Sequence, residues 1–154
     1  MKPNYIIIPV ITILTAAIGS WLTSGGMNWY KTVNFPSWTP PGSVIGLVWT
    51  VIFILSAISA LMVWNQAAHD NRLWWIAAIF IANAVLNILW SYLFFNRHLI
   101  GPAVWEAGLL GISVIALTVL IWPISRLASV FLWPYASWVI FATYLTYSVW
   151  FLNH

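Results

Sequence analysis

Five stretches of the chain, at 5–22, 44–64, 73–95, 103–121 and 130–152, each run for about the thickness of a bilayer core, with one charged residue, Glu106, among them all. Lipid offers a backbone no hydrogen bonds, so such stretches cross it as helices, whose N–H and C=O groups are satisfied internally. A water-soluble core could not absorb them: 63% of the chain is hydrophobic and 5% is charged, well outside the proportions of soluble domains. The chain is therefore expected to be an all-α, multi-pass integral membrane protein. Its single domain, 1–154, is a five-transmembrane-helix bundle with the lipid bilayer as its constant partner.

The segments between the runs set the topology and narrow the chemistry. The first run follows Lys2 and has Ala16 and Ala17 where a signal peptide would be cut, but its length argues for a span. Five spans place the termini on opposite sides. Lys2, Arg72 and Arg126 then share the N-terminal side, with Lys31 and Arg97 on the other, a balance that leans toward a cytoplasmic N-terminus. With the charges scattered in this way, the net charge of +3 calls for no nucleic-acid partner. Tryptophans mark the span ends as an interfacial belt requires, at Trp21, Trp64, Trp74, Trp75, Trp105, Trp122 and Trp150. The lack of cysteine removes disulfides, thiolate metal sites and cysteine nucleophiles. His69, His98 and His154 fall in separate connectors or at the terminus, without the spacing of a metal or haem-ligand pair, so no metal site is expected. Asp70 reads as loop solvation. No acid–base constellation for ordinary hydrolysis or group transfer is visible.

One connector is more than a connector. Residues 23–43 include WYKTVNFPSWTPPG, in which Pro36, Pro40 and Pro41 fix backbone angles and bias the residues before them away from helix. The segment is expected to be a long ordered loop between helices 1 and 2. Trp29, Tyr30, Phe35 and Trp38 give it rigid aromatic surface with polar tips. Two roles are open for it, an interfacial anchor and a roof over a binding site.

Three further tryptophans, Trp49, Trp90 and Trp138, lie inside spans, where an indole N–H needs an acceptor. In the third span Asn83, Asn87 and Ser91 recur every fourth residue, so two amides and a hydroxyl share one helix face that lipid cannot satisfy. That face meets either other helices through hydrogen bonds or a cavity. On the fifth span Trp138, Ala142, Leu145, Thr146 and Val149 share a strip on which small Ala142 leaves room beside the indole. A cavity between helices 2, 3 and 5, roofed by the aromatic loop, is the resulting expectation. Ala103, Ala107 and Gly111 make a small-residue ridge on the fourth span that suits packing within the bundle or a dimer seam. Glu106 lies near the loop side, placed to snorkel or to pair with Arg97, with a proton relay as the alternative. Leu89, Tyr92 and Arg97 fit the loose formula for cholesterol contact, and the fifth span, which has no basic residue, does not.

Three segments in order, WYKTVNFPSWTPP from Trp29, LNILWSYLFF from Leu86 and PYASWVIFATYLTYSVWFLN from Pro134, resemble the TspO/MBR family. These are the tryptophan-rich sensory proteins and the translocator protein, once called the peripheral benzodiazepine receptor. The resemblance covers essentially the whole chain. It implies a five-helix bundle, usually a homodimer, with a pocket beneath the first loop that accepts porphyrins, sterols such as cholesterol, and synthetic aromatic ligands. The pocket positions it implies are Trp29, Tyr30, Trp38 and Pro40 in the loop, Trp49, Asn83 and Asn87 in the helices, and Trp138 and Ala142 in the fifth span. Trp90, Leu145 and Thr146 adjoin them. Where many members carry Gln this chain has Asn83, and where many carry Leu-Asn it has Leu145-Thr146, which changes pocket polarity. A bacterial-type member in a bacterial cell membrane is the better match.

Three functions compete. The first is a receptor or sensor binding a porphyrin or other planar hydrophobic molecule by aromatic stacking, with the porphyrin as ligand and no obligatory cofactor. The second, raised by the resemblance, is light-dependent breakdown of protoporphyrin IX, in which Trp49 and Trp138 would exchange electrons with the excited pigment. The third is passive carriage or transport of porphyrin or sterol, for which neither an internal repeat nor a charge deep in a span speaks.

Overall fold

The computed structural model describes residues 2–67 and 70–154. Five helices are long and apolar enough to cross a membrane, over Asn4–Gly25, Gly42–Gln66, Arg72–Asn96, Ile100–Ile121 and Arg126–Leu152. In chain order the helical elements are α1 (Asn4–Gly25), a single turn α2 (Met27–Tyr30), α3 (Gly42–Gln66), α4 (Arg72–Ser91), which continues as a π-helical turn (Tyr92–Asn96), α5 (Ile100–Ile121), α6 (Arg126–Val130) and α7 (Trp133–Leu152). No strand occurs among the described residues. The spans close into a ring in which α1 packs on α3 and α4, α4 on α5, and α5 most extensively on α7. The last span is made of two pieces.

That division has a local cause and a tertiary compensation. Pro134 sits in the first turn of α7, where its missing N–H costs nothing. At the end of α6 the Leu132 N–H bonds the Ser129 carbonyl at 3.0 Å, which leaves the Ala128 carbonyl without a backbone partner. The Ser59 hydroxyl of α3, fully buried, donates to it at 2.8 Å. Ser129 in turn donates to the Thr118 carbonyl at 2.7 Å. An unpaired carbonyl in this setting costs about 1–3 kcal/mol, so the two serines make the break tolerable.

Apolar packing falls into three layers along the membrane normal. Val63, Ile76, Leu117, Ile121 and Leu132 fill the end that holds the N-terminus. Ile52, Leu110, Val114, Tyr135 and Val139 fill the middle. Phe94, Phe95, Ala103 and Val149 fill the end beneath the long loop, with Trp29, Tyr30, Trp90 and Leu145 against them. Ala103 and Ala107 are buried, and a Cβ at Gly111 would lie 3.4 Å from Val139 Cγ1. The small-residue ridge therefore serves packing inside the bundle. Among the belt tryptophans Trp21, Trp74, Trp75, Trp105 and Trp122 face outward, Trp105 with 81% of its surface exposed. Trp64 departs from that pattern: it turns edge-on to Trp74, at 6.2 Å, and lines an internal cavity.

The long loop is held at three places. Trp29 stacks on His98 at 4.2 Å and meets Phe94 edge-on at 5.5 Å, while Tyr30 lies on Phe35 and Phe95. Asn153, past the end of α7, accepts from the Asn34 N–H at 3.0 Å and donates to the Asn34 carbonyl at 2.9 Å. Trp38 stacks on Tyr144 at 5.6 Å and meets Phe141 at 5.9 Å. The first of these clasps depends on Gly26, where any Cβ would overlap the Phe95 carbonyl and Cβ. Gly26→Ala is thus expected to lower stability by about 1–3 kcal/mol, the usual cost of overpacking against backbone that cannot move aside. Reversible SDS titration of the purified protein reads this directly, and a variant as stable as the parent would disprove the close approach.

Candidate ligand site

Side chains of α1, α3 and α4, closed at one end by Tyr135 of α7, enclose a cavity of about 280 Å³. Its walls are almost wholly aliphatic and aromatic: Ile7, Ile8 and Ile11 from α1, Phe53, Ala57, Ala60 and Trp64 from α3, and Ile76, Ala77, Phe80 and Ala84 from α4. This is close to the lower end of the size range of small-molecule pockets, about 300–1,000 Å³. The α1 residues come from its N-terminal half and the α3 residues from its C-terminal half, so the cavity occupies the half of the bundle away from the long loop. Asn4 and Tyr5 tie those two ends together through Asn65, at 3.3 and 3.0 Å.

The inner end of the cavity is polar. Asn83 and Asn87, one helical turn apart on α4, both project into it, and each is more than nine-tenths buried. The Tyr135 hydroxyl donates to Asn83 Oδ1 at 2.9 Å, and Asn83 Nδ2 donates to Ser113 Oγ of α5 at 2.8 Å. Ser113 Oγ in turn donates a hydrogen bond to the Leu110 carbonyl at 2.7 Å. Asn87 Nδ2 reaches Tyr135 Oη at 3.4 Å, while its Oδ1 accepts nothing from the described residues. Nearby, the buried Ser56 hydroxyl also has no partner among the described residues. The arrangement joins three helices and still leaves one amide oxygen and one hydroxyl unused. A molecule with an apolar body and a hydrogen-bond donor on one edge complements it.

The residues expected from sequence are distributed over three places. Asn83 and Asn87 line the cavity. Trp49 lies next to it, edge-on to Tyr135 at 5.9 Å and 5.8 Å from Phe53. Trp138 packs in the middle layer and against Phe141 at 5.2 Å, with its buried Nε1 lacking an acceptor. Trp29, Tyr30, Trp90 and Leu145 belong to the layer beneath the loop, where Trp90 stacks on Phe94 at 5.1 Å. Thr146 is buried and donates to the carbonyl of Ala142 in its own helix at 2.8 Å. Trp38, partly exposed, lies on Tyr144 and Phe141 with Pro40 following it. The cavity thus lies among spans 1, 2 and 3, with only Tyr135 from span 5, and not among spans 2, 3 and 5 as the stripes on those helices led us to expect. Tyr135 and Ser113 were overlooked in the sequence. The signal for them was the unmet demand of the two amides: these are the polar side chains that the adjoining spans carry at that depth.

Glu106 corrects a second expectation. It is 5% exposed, neither oxygen has a hydrogen-bond partner among the described residues, and it neither reaches the interface nor pairs with Arg97, which is exposed. The ion pair found among the described residues is Arg72 with Asp70, at 2.7 Å, so Asp70 does more than solvate its loop. The Arg72 side chain and N–H hold the Asp70 carboxyl below its ordinary range. Burial raises the Tyr30 hydroxyl above the ordinary tyrosine range. No group of three His, Asp or Glu side chains among the described residues is placed to hold a metal ion. His69 lies outside the described residues.

Comparison with known proteins extends over the whole chain. The model of the TspO/MBR family matches residues 4–151. The tryptophan-rich protein TspO of Bacillus cereus is 31% identical over 153 residues, covering 99% of both chains. Protein CrtK of Rhodobacter capsulatus is 36% identical over 126 residues, 81% of this chain and 78% of that one. The human translocator protein is 31% identical over 139 residues, 89% of this chain and 82% of its own.

Proposed function

The chain belongs to the TspO/MBR family, and from that premise we propose that it is a membrane receptor for a planar hydrophobic ligand, most simply a porphyrin. The observation that supports this is the apolar cavity ending at the Asn83–Tyr135–Asn87 group, whose spare acceptor on Asn87 suits a ring N–H. In this reading Asn83, Asn87 and Tyr135 orient the edge of the ligand and Phe53 and Phe80 cover its faces. Trp49 stands beside the cavity against Phe53 and Tyr135, and Trp138 packs behind it in the middle layer. Trp29, Tyr30, Trp38, Pro40, Trp90, Ala142, Leu145 and Thr146 lie outside the cavity lining, and the layer beneath the loop that holds Trp29, Tyr30, Trp90 and Leu145 closes the loop end of the bundle. A homodimer, as the family resemblance implies, belongs to the same proposal.

The test is a titration of purified protein with protoporphyrin IX, following the pigment absorption in darkness and then under light. Saturable binding is expected, strongly weakened in Phe80→Ala, whose ring lines the cavity, and only modestly in Trp49→Phe and Trp138→Ala, whose rings do not. A strong loss of affinity in Trp138→Ala would instead place the ligand outside this cavity, toward the fifth span. Loss of pigment under light that disappears in Trp49→Phe and Trp138→Phe, with binding intact, would assign the indoles a redox role instead. No saturation at all would sink the tetrapyrrole assignment.

A further inference from the structure

The route into the cavity is written in which of its walls are open. α1 and α4 run in the same direction and touch along their loop-side halves, where a Cβ at Gly19 would lie 3.7 Å from Ser91 Oγ and one at Gly25 3.5 Å from Asn96 Nδ2. At the opposite end the ties of α1 lead to α3 instead, through Asn4, Tyr5 and Asn65. In the half that holds the cavity, no hydrogen bond among the described residues joins α1 to α4. Of the side chains that line the cavity only Ile7 of α1 and Ile81 of α4 are exposed, at 53% and 49%. Both lie within the apolar spans, where what surrounds them is hydrocarbon. The lining residues of α3, and Tyr135, are buried or half-buried, so the side toward the bundle is shut. Toward the loop the path is closed as well, by the layer of Phe94, Phe95, Trp90, Trp29 and Tyr30.

We propose that the cavity receives its ligand sideways from the hydrocarbon of the leaflet opposite the long loop, through the gap between α1 and α4 at Ile7 and Ile81, and therefore selects lipid-dissolved molecules whose entering edge is uncharged. This rests on the receptor role proposed above. No Lys or Arg lines the cavity, so an anionic edge would enter without a counter-charge, at a cost that an uncharged edge avoids. A donor such as a ring N–H reaches Asn87 Oδ1 and Ser56 Oγ at the inner end, while charged substituents stay outside. The loop is then a lid in appearance only, and its ties to Asn153 and Tyr144 need not open for binding.

The experiment uses the full chain in lipid nanodiscs and the uncharged dimethyl ester of protoporphyrin IX, with association followed by stopped-flow pigment absorption. Ile81→Trp narrows the gap on a lipid-facing position, and Val85→Trp, at an exposed position of α4 outside the cavity lining, controls for the added bulk. Asn153→Ala frees the loop without touching the cavity. The expected result is association about tenfold slower in Ile81→Trp, with affinity changed by less than about threefold, and parent rates in the other two variants. Parent-like association of Ile81→Trp, or faster association in Asn153→Ala, would overturn lateral entry while leaving the receptor role standing. A parent protein that shows no saturable binding overturns both.

Discussion

Replacing Tyr135 by alanine is expected to lower the stability of the bundle by about 3–5 kcal/mol, the largest loss for any single side chain described here. The ring is 3% exposed and packs with Ile52, Leu110, Val114 and Val139 in the middle layer, so most of the effect is lost packing and the void left behind. Its hydroxyl is the smaller part. Tyr135→Phe keeps the ring and removes the donor to Asn83 Oδ1 and the acceptor of Asn87 Nδ2, and side-chain hydrogen bonds between membrane helices average only about 0.6 kcal/mol and reach about 1.7. The phenylalanine variant should thus lose about 1–2 kcal/mol, and combining it with Asn83→Leu should cost less than the sum, because both delete the same bond. Reversible SDS unfolding of the two single variants and the double variant measures the coupling. Strict additivity would show that the hydroxyl and the amide do not depend on one another.

Filling the cavity should abolish binding while leaving the bundle intact. Ala57, on the α3 wall, is half-buried, and a phenylalanine there projects a ring into a space of about 280 Å³ that has no other use in the fold. A ligand must then give up most of its burial, and we expect porphyrin affinity to fall at least about 100-fold, equivalent to about 2.7 kcal/mol. Stability should hold or rise, since the new ring occupies volume that is otherwise empty. Ala78→Phe, on the lipid-facing side of α4, is the control and should bind as the parent does. If Ala57→Phe binds porphyrin as tightly as the parent, the ligand lies elsewhere, and the aromatic surfaces around Trp138 and Trp38 become the place to look.

Hydropathy and length alone located the five spans, because a membrane allows so few backbone arrangements. Details that depend on one helix meeting another were less accessible. The stripe of Asn83, Asn87 and Ser91 declared a polar face on the third span, but nothing in it said which helices that face would meet. The ring closes with α1 between α3 and α4, and α1 carries no polar stripe beyond Thr12 and Thr15, whose hydroxyls bond their own helix at 2.9 and 2.8 Å. Hence span 1 went unnoticed as a cavity wall. The break before α7 was hidden for a similar reason. Pro134 alone is compatible with a continuous start to the span, and what stabilises the interruption is Ser59, far away in sequence. Trp64 followed the rule for span ends in its position along the chain, yet its side chain turned inward, which spacing along one helix does not decide.

The unpartnered carboxyl of Glu106 bears on how the protein is made. A charged side chain at the centre of an isolated span costs about 2.5–3.5 kcal/mol during insertion, and Glu106, two turns into α5, costs less, which an otherwise apolar helix can bear. Once in the bilayer, α5 alone would still present that carboxyl to lipid on the face that carries Ala103, Ala107 and Leu110. α7 covers that face. Until α7 docks, the fourth span therefore holds an unpartnered acid against lipid, and the pairing of α5 with α7 completes the burial of that carboxyl.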